Sequence, residues 1–207
     1  MALHNLFPTP VGFYELGRDL TAKELSFLKN QETRSNMGNT TSKNNTILKE
    51  KELTKLRDFV ETSVSDYFNT VYNPKHKVNL KITQSWTNYT EKGQYHHKHA
   101  HPNSFVSGVL YIQADKTKDK IFFYKDQYEQ IKFPPKEWNV YNSESWWFEV
   151  ETGKLILFPS SLTHMVQTVE SEQTRISLSF NTFPVGNVGE EMDLTGLQLG
   201  ELDGAFR

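Results

Sequence analysis

Two hydrophobic periods divide the chain. From about Ile47, apolar residues recur every three or four positions, with Leu53, Leu56, Val60, Val64, Tyr67 and Val71 forming one stripe. That spacing predicts an amphipathic helix, and Asn73-Pro74 ends it. A shorter helix is predicted upstream. Thr21-Ala22-Lys23-Glu24 has the spacing of a capping box, and Leu20 and Leu25 are placed to staple it. The helix should run to about Gln31. The intervening stretch 34–46, RSNMGNTTSKNNT, is polar and turn-rich and predicts a mobile surface loop.

After Pro74 the period falls to two. In VNLKITQSWTNYT the residues Val78, Leu80, Ile82, Gln84, Trp86 and Asn88 would share one face of a strand. Further strands are predicted at Phe105–Gln113, Lys120–Lys125, Trp146–Val150, Leu155–Phe158, Met165–Val169 and Arg175–Phe183. Many short strands separated by turns indicate a sandwich or barrel, hence a mainly β (α+β) domain. The expected layout is a single domain over 1–207: an N-terminal extension with bracing helices (1–74), a barrel (75–183) and a surface-wrapping tail (184–207). The first helical part is too short to hold a core of its own.

Composition narrows the function classes. A chain of 207 residues with 14 Phe, 9 Tyr and 4 Trp suits one packed β-rich domain rather than a disordered one. A formal charge of −2 offers nucleic acid no clustered basic excess. No apolar run reaches the ~20 residues a membrane helix needs, and the N-terminus has no basic and apolar leader pattern. A cytoplasmic protein is the simplest expectation. Cysteine is absent, so a metal site would have to use His, Asp or Glu.

Four of the seven histidines fall within GQYHHKHAHPNS: His96, His97, His99 and His101. In a strand, His99 and His101 project to one face and can share a metal; imidazole suits Fe, Zn, Cu and Ni. An isolated HxH is more often a polar surface strand whose imidazoles only titrate. His97 lies on the same ideal face as His99, so His97/His99 is a rival pair. His96 should point away, and His4 and His76 sit in unpatterned context.

Two spacings favour the His99/His101 pair. Gly93 stands six residues before His99, and downstream Gly153, Pro159 and His164 follow one another at six and five positions. These segments resemble the two signatures of the double-stranded β-helix (cupin or jelly-roll) superfamily, without the cupin Glu after HxH and with Ser161 in place of a Gly. The resemblance implies a barrel braced by the N-terminal helices, with a metal on His99, His101 and His164. Three ligands on one side leave the opposite positions open to substrate, cosubstrate and O₂.

Eleven residues after His164 comes Arg175-Ile176-Ser177-Leu178-Ser179-Phe180-Asn181. Ile176, Leu178 and Phe180 form an apolar face toward the bracing helices, and Arg175, Ser177, Ser179 and Asn181 face inward. An inward guanidinium is costly unless it meets an anion, and its planar fork suits a carboxylate. A structural salt bridge to an acidic residue would serve equally. Arg-x-Ser at this distance from a metal His resembles the motif that holds the distal carboxylate of 2-oxoglutarate. Related oxygenases place a Tyr where Tyr111 stands, and AlkB-like relatives place an Asn at the offset of Asn88, each toward the cosubstrate.

Together HxHP, SGxxY, FPxxxxH and RxSxSFN, with LFPTPV at Leu6–Val11, make Asn79 to Phe183 similar to the putative 2OG-Fe(II) oxygenase family common in marine bacteria and their large tailed phages. The resemblance implies a hydroxylase-type Fe(II)/2-oxoglutarate-dependent dioxygenase, with Arg175 and Ser177 clamping the cosubstrate and Tyr111 or Asn88 assisting. It departs from most relatives in carrying His101 where a carboxylate ligand is usual. Such a neutral triad should also take Zn, Ni or Cu. Two other classes stay open: a three-His cupin-type dioxygenase or isomerase without 2-oxoglutarate, and a non-catalytic binding module. The substrate, small molecule or peptide, is not legible; Trp138, Trp146-Trp147 and the loop 126–145 are candidates to line the mouth. The aromatic load leaves a homodimer open.

Overall fold

The structure, a computed structural model, describes residues 1–125, 131 and 133–200. Helix α1 (Ala22–Lys29) starts where the capping box puts it: Thr21 accepts from the Glu24 amide, and the Glu24 carboxylate accepts from the Thr21 amide. Glu24 is buried and also takes both terminal nitrogens of Arg18. After two short 3-10 turns at Ile47–Lys49 and Lys51–Leu53, helix α2 (Thr54–Tyr72) buries Leu56, Val60, Val64 and Tyr67 along its stripe. It stops at Asn73, whose φ of 42° is left-handed. The stripe ends on Phe68 rather than Val71, which is exposed. No helix among the described residues is long and apolar enough to cross a membrane.

The described residues include twelve strands, numbered in chain order: β1 (Gly12–Glu15), β2 (Thr33–Ser35), β3 (Thr40–Ser42), β4 (Val78–Thr90), β5 (His96–His99), β6 (Val106–Gln113), β7 (Lys120–Tyr124), β8 (Ser145–Glu149), β9 (Lys154–Pro159), β10 (His164–Val166), β11 (Arg175–Val188) and β12 (Leu197–Leu199). They form two sheets. The larger runs β1-β9-β6-β11-β4-β3-β2, with β12 alongside β11, and the smaller runs β5-β10-β7-β8. One core lies between the large sheet and the helices, joining Leu28, Leu56 and Val60 to Leu110, Leu178 and Phe180. A second lies between the sheets and includes Val109, Tyr111, Ile121, Phe123 and Phe158. The two faces of β11 therefore divide as the alternation in RISLSFN requires.

Three expectations are corrected. Residues 34–46 are not a plain loop: β2 and β3 form a hairpin that docks on β4 through Thr40↔Tyr89 and Thr41↔Asn88. Threonine and serine supply the bonds that apolar side chains would not, since Thr41 donates to the Thr87 carbonyl and Ser42 accepts from the Thr87 amide. Second, β4 does not keep one face throughout. Its register with β11 shifts between Asn181↔Gln84 and Thr182↔Ile82. This bulge turns Leu80 and Ile82 toward the helix-side core, while Trp86 and Asn88 enter the space between the sheets. Third, the tail is not all wrapping: Leu197–Leu199 pairs with Gly186–Val188.

Candidate metal centre

His99 and His164 are brought together by strand pairing, for they are direct partners in the β5–β10 ladder. His101 lies just beyond β5, its amide held by the Ser160 carbonyl at 2.9 Å. The His99 and His101 Nε2 atoms are 3.2 Å apart, and the His164 ring centroid lies 4.4 Å from that of His99 and 5.1 Å from that of His101. One nitrogen from each ring fits within a 4.8 Å cluster. Two metal–nitrogen bonds of about 2.1 Å would subtend roughly 100° across the 3.2 Å gap, near the angle of adjacent ligands in octahedral or tetrahedral sites.

The other side of each ring decides its tautomer. His99 Nδ1 faces its own strand's His97 carbonyl at 2.7 Å, His164 Nδ1 the Leu162 carbonyl at 3.0 Å, and His101 Nδ1 the Asn181 side-chain oxygen at 2.6 Å. Carbonyl oxygens only accept, so each Nδ1 carries the proton and each Nε2 keeps its lone pair for a cation. Burial pushes His164 down to about 3, helped by the charges of His99 and His101. Burial likewise takes His99 to about 4 and lowers His101. All three are neutral at pH 7, the form a metal needs.

Across the same cavity lie the other expected residues. Ser177 on β11 stands in register with Asn88 on β4 and with Tyr111 on β6, so three adjacent strands present them in one row. Arg175 begins β11, is 2% exposed, and donates from Nη2 to the Tyr111 hydroxyl at 3.3 Å, with its guanidinium 5.0 Å from the ring centre. Burial raises the Tyr111 phenol to about 12, so its proton stays on. Arg175 Nε and Asn88 Oδ1 are buried without a partner. Among the described residues no carboxylate pairs with Arg175. Asp119, whose carboxyl feels the Arg175 charge, instead accepts the Asp115 amide at 2.8 Å. His99, His101, His164, Arg175, Ser177, Tyr111 and Asn88 all line this cavity.

Residues 84–181 match the sequence model of the family described as putative 2OG-Fe(II) oxygenase. This segment is similar in sequence to that family. Its fold agrees. HygX from Streptomyces hygroscopicus, solved with nickel, 2-oxoglutarate and hygromycin B, superposes with a TM-score of 0.58 at 13% identity, covering 94% of this chain and 93% of that one. A Trichoplax adhaerens prolyl hydroxylase in complex with a hypoxia inducible factor peptide gives 0.54 at 12% identity, with 84% and 83% covered. A 2OG-Fe(II) oxygenase family oxidoreductase from Burkholderia pseudomallei gives 0.55 at 13%, with 78% of both chains covered. None of the curated proteins matches in sequence.

The site also holds residues the sequence reading missed. His96 does not point away. The β5–β10 register slips between His99↔His164 and His96↔Val166, so an extra residue in β5 brings His96 and His99, three apart, into the same cavity. Its ring stacks on His99 at 4.6 Å. His96, His97 and His99 thus form a second cluster that could hold an ion. Asn181 was read only as inward-facing. Its oxygen takes both His101 and Ser107, and its amide donates to Gln84 at 3.3 Å. The alternation in RISLSFN put it on the metal side, but only the fold reveals which histidine it meets. Trp138, Trp146 and Trp147 line a separate pocket away from the histidines, and residues 126–130 and 132 of that loop lie outside the described residues.

Proposed function

We propose that this chain is an oxygenase that binds Fe(II) on His99, His101 and His164 and seats 2-oxoglutarate between that metal and Arg175. The observation that carries the reading is the buried guanidinium without a carboxylate, set across one cavity from three Nε2 lone pairs. A buried cation so placed lacks the anion that would offset its desolvation, and a diacid supplies one. Ser177 and Tyr111 add neutral donors beside it. Three uncharged imidazoles leave a divalent charge that a dianionic cosubstrate neutralises.

Bound metal and cosubstrate would supply the oxidising chemistry, in which 2-oxoglutarate, O₂ and a substrate C–H give succinate, CO₂ and the hydroxylated product. The chain's own part is to position and exclude water. Arg175 and Ser177 anchor one end of the diacid, and Asn88 Oδ1 is free to accept from a water beside it. Phe158 and Phe123 pack against His164 and keep that side dry. Asn181 holds the His101 proton on Nδ1 throughout. The same triad accepts Zn, Ni or Cu, so metal content alone does not identify the working ion. The test is anaerobic titration of the Fe(II) protein with 2-oxoglutarate. We expect a metal-to-ligand absorption band in the wild type and its loss in Arg175→Ala with Fe(II) still bound. A band unchanged in that variant overturns the assignment of the clamp, and no band at all overturns the cosubstrate.

A further inference from the structure

The cavity between the triad and Arg175 opens past Trp86 into a groove of about 1340 Å³. Its two walls are strand edges that no other strand covers among the described residues. β2 ends the large sheet and β5 ends the small one. Arg34 and Ser35 both line the groove, and so do His96 and His97 across from them. Consecutive side chains of a regular strand point to opposite faces, so Arg34 and Ser35 border one space where β2 turns its edge to it, while at His96 and His97 the irregularity of β5 brings both rings there. One end is closed where the Tyr95 amide reaches the Gly38 carbonyl at 3.1 Å. The metal histidines thus lie on one wall of a channel between two open edges.

Charge selects what fits there. Arg34, Lys49 and Lys81 line the groove, and none of their side chains has an ion-pair or hydrogen-bond partner among the described residues. Glu61 is the lone carboxylate on the described lining, so three cations less one anion leave +2 on a chain whose formal charge is −2. Small-molecule sites usually enclose about 300–1,000 Å³ behind mostly apolar walls; this groove is larger, and polar or charged residues make up most of its lining. Trp86 is its one large aromatic surface besides the imidazoles, too little for the stacking platform that single-stranded nucleic acid uses.

We propose that the groove receives an acidic, extended segment of polypeptide, its main chain pairing with an open strand edge and its carboxylates meeting Arg34, Lys49 and Lys81. This deepens the proposed function and rests on it, since the segment would deliver a side chain to the same metal.

The test uses the full chain loaded with Zn(II), titrated with and without 2-oxoglutarate. The probes are two pools of ten-residue peptides carrying an uncharged fluorophore, one with Glu at alternate positions and one with Lys there. Fluorescence anisotropy should show the Glu pool binding at least tenfold tighter. The preference should fall at least tenfold in Arg34→Glu/Lys81→Glu, and in the milder Arg34→Gln/Lys49→Gln to a lesser degree, with 2-oxoglutarate affinity unchanged. Equal binding of both pools, binding of neither, or displacement of the Glu pool by equimolar citrate (which would mark a small-anion site) overturns the inference. If 2-oxoglutarate binds and the acidic pool does not, this inference alone fails; if 2-oxoglutarate does not bind, the functional reading fails, and the pools still report on the groove.

Discussion

Asn181 shows how a single amide can orient a candidate metal ligand from behind. Its oxygen receives the His101 Nδ1 proton at 2.6 Å and the Ser107 hydroxyl at 2.9 Å, so it fixes both the tautomer and the tilt of that ring. Outer partners of this kind typically alter metal affinity by about 10–100-fold when removed. Asn181→Ala should therefore weaken Zn(II) binding by roughly that factor, measured by competition with a chromophoric chelator. Asn181→Asp, which keeps an acceptor, should restore most of it. The two histidine clusters make a second prediction. His101→Ala should lose most of its metal affinity, while His97→Ala should keep one ion per chain by mass spectrometry. The converse result would move the metal to His96, His97 and His99. At this scale the sequence was informative where spacing and strand period agreed, as for His99, His101 and Arg175. It misled at His96, because period-two reasoning assumes an unbroken strand and β5 has one residue more than its partner.

Bulges also explain what was illegible at the level of elements. The register shift in β4 is a backbone event between Gln84 and Ile82, and no residue type there announces it. The β2–β3 hairpin was hidden for another reason. Its residues are polar, and polar strands are told from loops only by the partner that satisfies them, here Thr87. By contrast the extent of β4 and the buried stripe of α2 were legible, the strand because the period falls to two after Pro74 and the stripe because apolar residues recur every three or four positions. Tight packing between elements is testable at Gly108 on β6. A Cβ there would lie 2.2 Å from the Phe180 ring and 2.7 Å from Leu157. Such overpacking costs about 1–3 kcal/mol or more, so Gly108→Ala should lower the melting temperature by several degrees while leaving the histidines in place. Movement is expected at Trp86. The cavity it shares with the triad measures only about 30 Å³, little more than one water occupies, so a five-carbon diacid must displace its walls. Trp86 also packs 5.8 Å from His101 and borders the groove. Trp86→Phe should abolish the change in intrinsic fluorescence that 2-oxoglutarate produces in the wild type.

For the whole molecule, gathering so many neutral imidazoles into a closed space ties stability to pH. The direction follows from the proton count. In the unfolded chain a histidine titrates near 6.5, whereas burial holds His99 at about 4 and His164 at about 3 in the fold. Between those values the unfolded state binds more protons, so stability rises with pH across the window and is lost as pH falls below 6.5. At pH 5 one such group costs about 2 kcal/mol, and His99 and His164 do not add independently because each depresses the other. With a shift of about 2–4 °C per kcal/mol for a chain of this size, metal-free protein should melt roughly 5 °C or more lower at pH 5 than at pH 7. His99→Gln/His164→Gln should show a smaller drop. Added Zn(II) should raise the melting temperature by a similar increment at both pH values, because His99 and His164 in the fold are already largely free of protons across that range. A zinc increment that collapses by pH 5 would mean that the imidazoles titrate near their ordinary value and that the closed cavity does not form.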